Sequence, residues 1–265
     1  MGAYIYEHGH LGPDWYVSPT GSFESGDGSS GNPLSSVLAA INLANEGDVI
    51  TLAEGTYTGT GNYNIYFLGK NVTIQSEGSA ENTIIDAEGR AENGDPLNPR
   101  RIFSFESHGS YGVVSSETLI DDITISNGFL NGDGAFVYGS GNSLDGAGIY
   151  IHSSDPTFTN CIIRNNMNNR NCNNCASKGS GIFLHDSEST FTDCHITDNY
   201  TRAEVNHDHY DAWASGGGAY VQEGNVTFTR CVFSDNEAFT YDHNNNGESI
   251  GYTQGGAIYH NGGTL

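Results

Sequence analysis

The chain of 265 residues is poor in basic side chains: 9 Lys and Arg stand against 32 Asp and Glu, a formal net charge of −23. Its two lysines are Lys70 and Lys178. A nucleic-acid partner needs a basic stripe to neutralise phosphates, and none exists. An anionic membrane surface is disfavoured for the same reason. Proline is scarce, with 6 residues. No apolar run is long enough to span a bilayer, which argues against membrane insertion. The opening MGAYIYEHGH has neither the basic nor the apolar region of a signal peptide. The expectation is a secreted or cell-surface protein whose signal is not part of this chain. The acidic balance suits solubility outside the cell or calcium capture, and both readings stay open.

What is abundant is glycine, 36 residues, among short alternating apolar clusters. That composition reads as all-β with many turns. One sentence recurs without a gap: GAGIYIHSSDPTFTNCIIRNN from Gly146, GSGIFLHDSESTFTDCHITDN from Gly179 and GGGAYVQEGNVTFTRCVFSDN from Gly216. A further copy opens at Gly255 and the chain ends inside it, while LIDDITISN (Leu119–Asn127) is a blurred earlier one. A two-strand unit cannot bury its apolar face alone, so the copies must stack. Stacking at about 4.8 Å turns equivalent residues into ladders. The expected ladders are Phe158, Phe191, Phe228; Cys161, Cys194, Cys231; and Asn166, Asn199, Asn236 at a turn.

This is the pattern of a right-handed, single-stranded parallel β-helix, read here as one domain over 1–265. Residues 1–48 give the N-terminal strand and cap helix, 49–127 early coils, and 128–265 repeat coils with long inserts. The spacing of Leu34, Val37, Leu38, Ile41 and Ala44 predicts a capping helix over 33–46. Asn32 is its expected N-cap, Pro33 its first residue and Gly47 its stop. The unfinished last coil predicts end-to-end self-association through unpaired strand edges.

Two stretches carry a family resemblance. WYVSPTGS (Trp15–Ser22) followed by NPLSSVLAAINLANEGDVITLAEGTYTG (Asn32–Gly59) resembles the start of pectate-lyase-like β-helix proteins. GGAI (Gly255–Ile258) and FSDN (Phe233–Asn236), with the weaker IRNN and ITDN, resemble the repeats of polymorphic outer-membrane and surface proteins. The first resemblance implies extracellular polysaccharide chemistry, the second adhesion or display. The recognised active-site signatures of the pectate lyases are absent from this sequence.

Function is expected between the rungs, in inserts 128–145, 167–178, 200–215 and 237–254. They leave the same corner and should stack into one face. Tyr200, Tyr210, Trp213, Phe239, Tyr241 and Tyr252 would offer rings to the apolar face of a sugar, or simply pack the inserts together. His207, Asp208, His209, Asp242 and His243 have the donor types of a transition-metal site. Calcium is the cofactor considered for the acidic turns 24–32 and 131–135. Lys178, Arg170 and Arg202 form the basic cluster a lyase would use. Asp208, Asp211 and Asp242 are the carboxylates a glycoside hydrolase would use. Cys172 and Cys175 could form a local disulfide. The expected role is binding of a polysaccharide or cell-surface glycan by an adhesive or scaffold protein; the alternatives are a polysaccharide lyase or glycoside hydrolase, and a structural unit.

Overall fold

The computed structural model describes residues 10–89, 99–106, 112–131, 145–171, 175–205, 211–242 and 250–265. Over these residues the chain winds as a right-handed parallel β-helix. Three sheets form its coil. Sheet 1 has seven strands, from Asp14–Ser22 to Thr227–Thr229; sheet 2 has six, from Gly55–Tyr57 to Val232–Ser234; sheet 3 has six, from Ile65–Tyr66 to Ile258–Asn261. Every ladder between these strands is parallel, and the register pairs equivalent repeat residues: Phe158 with Phe191 and Phe228, Ile163 with Ile196 and Phe233.

The alternation of each short strand sends one side chain inward and the next outward. The inward set fuses into a single core from Trp15 to Val226. Phe158 and Phe191 stack at 4.8 Å with planes 4° apart, and Phe228 continues the stack at 4.9 Å. Cys161, Cys194 and Cys231 form a column of free thiols, each Sγ donating to a backbone carbonyl. The neighbouring thiol first, and burial, push the Cys194 and Cys231 thiols above the ordinary thiol range, which disfavours the reactive thiolate.

Asparagine solves the turn after sheet 2. Asn199 Oδ1 accepts from the backbone N–H and the side-chain amide of Asn166, while its Nδ2 donates to Ile163 O, Thr197 O and Asn236 Oδ1. Asn166 in turn accepts from Gly128 N–H and donates to Ile125 O. Glycine makes room for this ladder: a Cβ on Gly181 would stand 2.4 Å from Gly218 O and 3.0 Å from the Asn199 amide carbon.

The helix is shorter than its periodicity predicts. It spans Val37–Leu43, and Ser36, not Asn32, is the N-cap, its Oγ accepting from Ala39 N–H at 3.2 Å. Pro33 and Leu34 are drawn into extended pairing with the first strand: Ser22 N–H donates to Pro33 O, and Leu34 bridges Val17 and Ser22. The helix ends at Ala44, before Gly47. Lys70 Nζ closes it by donating to Ile41 O, Asn42 O and Ala44 O at 2.8–3.0 Å. Val37, Ala40 and Ile41 cover the first rungs of the core.

Candidate functional site: the corner between fin and coil

The inserts are strands, not loops. From the Asn ladder the chain runs out along Phe129–Asn131, Met167–Asn171, Tyr200–Val205 and Glu237–Asp242, which stack as an outgoing sheet. It returns along Cys175–Lys178, Ala212–Ser215 and Gly251–Gln254, a second parallel stack that leads back into sheet 3. The two lie back to back as a fin. The seam between them is made of small residues, Ala203, Ala212, Ala214 and Ala238, beside a Thr240–Thr253 hydroxyl pair.

Strand alternation therefore gives the fin two opposite outer faces, and the expected aromatic set divides between them. Tyr200, Arg202, Phe239 and Tyr241 leave the outgoing sheet. There Arg202 lies 5.5 Å from the Phe239 ring and 5.6 Å from the Tyr241 ring, and pairs with Glu204 at 2.9 Å. Trp213 and Tyr252 leave the returning sheet, stacked at 5.5 Å with planes 5° apart. Lys178 also leaves the returning sheet, so the structure does not bring it together with Arg202. Arg170 is spent across the fin, donating to Ala176 O.

Lys178 shows where the returning face leads. Its Nζ reaches Gln222 Oε1 at 3.4 Å and lies 5.0 Å from the centre of the Tyr220 ring. Both residues belong to the outer face of sheet 3. The returning sheet is thus a wall, and sheet 3 the floor, of a re-entrant corner running along the coil.

Two columns pave the floor. One is aromatic and, except at its last rung, covered: Tyr150, Phe183 and Tyr220 are only 6, 5 and 4% exposed and Tyr259 is half-buried, with ring separations of 5.2, 5.6 and 5.1 Å. The other is polar: His152, His185, Gln222 and Asn261, in register beside the rings. Four rungs extend about 14 Å. Arg101, fully buried, closes the lower end; its guanidinium sits 4.4 Å from the Tyr150 ring and donates to Gly146 O and Asp145 O. Burial raises the Tyr220 phenol, opposed by a hydrogen bond with Asn261. The His152 and His185 rings are 4.8 Å apart. Burial first, then the neighbouring His185, pull His152 below the ordinary imidazole value, against an upward pull from Asp186.

That coupling has a measurable sign. Replacing His185 with Gln removes the positive neighbour, and the His152 pKa is expected to rise toward its ordinary value of about 6.5. An imidazole titration followed by NMR checks this; an unmoved or lowered midpoint would contradict the pairing.

His207, Asp208, His209, Tyr210 and His243 lie outside the described residues, as do Cys172 and the turn 132–135; of the Asp242 and Cys175 side chains nothing is described. Asp211 accepts from Ile250 N–H and ties two inserts together. Asp27, in the turn considered for calcium, accepts from the N–H and hydroxyl of Ser29, which lower its pKa. Among the described residues no three His, Cys, Asp or Glu side chains assemble as a metal site. No helix among them is long and apolar enough to cross a membrane.

Coil and corner together define a right-handed parallel β-helix with a finned flank. No protein-family model matches the chain, and no curated protein does. Among solved structures it is similar to a pectin methylesterase from carrot, at 16% identity over 96% of this chain and 84% of that one, with a TM-score of 0.40. It is similar also to the Escherichia coli protein ybhc, at 13% identity over 92% and 68%, TM-score 0.42. A pectin methylesterase from Aspergillus niger matches at 12% identity over 95% and 86%, TM-score 0.35. The strand pairing itself, rather than these likenesses, is what fixes the fold.

Proposed function

We propose that this chain is a polysaccharide-active β-helix protein that holds a glycan strand along the corner between the fin and sheet 3, outside the cell. The observation that carries the reading is the coplanar Trp213–Tyr252 pair standing beside a polar column, His152, His185, Gln222 and Asn261, at rung spacing. The two wall rings can accept the apolar C–H face of a sugar, and the polar column offers hydrogen-bonding groups to hydroxyls, while the buried Tyr150, Phe183 and Tyr220 rings support the floor from within. Tyr252 is 38% exposed, so the wall presents ring surface to solvent. A net charge of −23 repels polyanions, so a neutral glycan fits better than a polyuronate. An adhesive or scaffold role has no observation of its own in its favour.

A cleavage reading would draw on the half-buried His152 of the floor, whose pKa is lowered first by burial, and on Lys178, which reaches the floor from the wall at Gln222.

The test is a panel of neutral and acidic polysaccharides, with calcium and with chelator, read by affinity electrophoresis and by release of reducing ends. Retardation by a neutral polysaccharide is expected, weakened about tenfold by Trp213→Ala, the loss of one stacking partner. Release of ends makes the protein an enzyme; retardation without release makes it a binder. If Tyr241→Ala abolishes retardation while Trp213→Ala does not, the outgoing face is the site and the corner reading falls. Silence in both assays sinks it altogether.

A further inference from the structure

A second concavity lies at the N-terminal end of the coil and shares no residue with the corner. It is a cleft of about 470 Å³ lined by Pro19, Phe23, Ser35, Thr56, Tyr57, Thr58, Thr60 and Asn62. That volume falls within the ordinary range for small-molecule sites. We infer that this cleft binds a neutral saccharide unit.

Three features of the lining point to that chemistry. The first is a set of hydroxyls. Thr56 in its strand, Thr58 and Thr60 in the turn that follows, and Ser35 all belong to the lining. None of these four hydroxyls has a hydrogen-bond partner among the described residues. The second is Phe23, 68% exposed. Its turn is not loose: Ser25 N–H donates to Ser22 Oγ, and Asn32 Nδ2 to Ser25 O at 2.6 Å. The ring is therefore held in water on a tied turn, where a sugar's C–H face can cover it. The third is the absence of formal charge. No Asp, Glu, Lys, Arg or His is among the residues lining the cleft. A neighbouring carboxylate, Glu88, accepts from Gly59 N–H beside the threonines and is paired with Arg100, so its charge is partly offset.

The back of the cleft is already fixed. Tyr57 donates its hydroxyl to Val17 O and Ala53 O, at 2.9 and 2.7 Å. Asn62 accepts from Val37 N–H and donates to Ser35 O and Thr58 O. The groups that shape the site are thus satisfied internally, while the solvent-exposed threonines that line it keep hydroxyls free for a ligand. A ligand entering such a cleft loses little to reorganisation.

Phe23→Trp keeps an aromatic ring at the rim and adds a local fluorophore, so binding here is read separately from any event at the corner. Titration with neutral monosaccharides and disaccharides is expected to change the fluorescence of this variant, beyond the change in the parent protein. Saturation-transfer NMR on the parent should show the same sugars bound. Phe23→Ala should weaken that binding at least about tenfold, and Thr58→Val about threefold, the scale of one aromatic contact and one hydrogen bond. Glucuronate and glucosamine should bind more weakly than the neutral sugars. If the added fluorophore of the Phe23→Trp variant responds to no neutral sugar, the inference is overturned. So it is by a response equally strong for the charged sugars, or by one that Thr58→Val leaves untouched.

Discussion

Replacing Asn199 with alanine is expected to cost roughly 2–6 kcal/mol of folding stability, because at least two buried polar groups lose their partners at about 1–3 kcal/mol each. The orphans are identifiable. Asn166 N–H and Asn166 Nδ2 both donate to Asn199 Oδ1, and Ile163 O accepts from Asn199 Nδ2. Asn166 and Asn199 are both fully buried, so water does not replace the missing amide. Aspartate in its place would keep the acceptor, lose the donor and bury a charge, and should fare no better. Guanidinium titration checks this. Asn127→Gly serves as the comparison: Asn127 sits at φ +61°, where glycine adds no strain, and among the described residues its amide bonds to a part-buried Asp86 carboxylate. Equal midpoints for the two variants would show that the turn backbone does not depend on the ladder.

Phe191→Ala is the second large effect, with an expected loss of about 3–5 kcal/mol. Phe191 is fully buried between Phe158 and Phe228, with ring centres 4.8 and 4.9 Å away. Neighbours held in two hydrogen-bonded ladders cannot collapse inward to fill the void. The location adds a second readout. In a stack where each rung touches only its neighbours, a weak middle rung divides the cooperative unit. The variant should therefore unfold over a broader denaturant range than the parent, not merely at a lower midpoint. A sharp, unshifted transition would mean the ring contributes little to coupling between rungs.

Much of the coil could be read from the sequence because in-register stacking converts repetition directly into contact. The Phe and Asn columns needed only the alignment of three copies. The two short marks also meet in space: the asparagine of the FxxN-type mark packs against the position that GGAI fills with Ala257, Gly181 against Asn199 and Gly218 against Asn236. The helix start was not legible, since Pro33 and Leu34 pair with a strand that lies earlier in the chain. Nor was the role of Lys70, whose three carbonyl partners are 26–29 positions away.

The candidate site was legible only in halves. Trp213, Tyr252 and Lys178 stood out as insert residues. Tyr150, Phe183 and Tyr220 did not, although they recur at equivalent positions in IYIH, IFLH and AYVQ. Both parities of those strands are apolar, so alternation alone does not say which side faces out. The division of the insert aromatics into two faces was hidden for a related reason. It becomes visible only once YTRAEV and EAFTYD are known to be strands with an inner and an outer side.

The alanine seam sets how the corner behaves over time. Four small side chains bury far less apolar area than the phenylalanine and isoleucine columns of the coil. The fin is held chiefly by its ladder hydrogen bonds, whereas the coil is held by its core as well. Local opening free energies follow buried contact, so the fin's amides should exchange with solvent well before those of the coil. One side of the corner is thus the firmer bench and the other the looser rail, and the fin is expected to open locally before any rung of the coil comes undone.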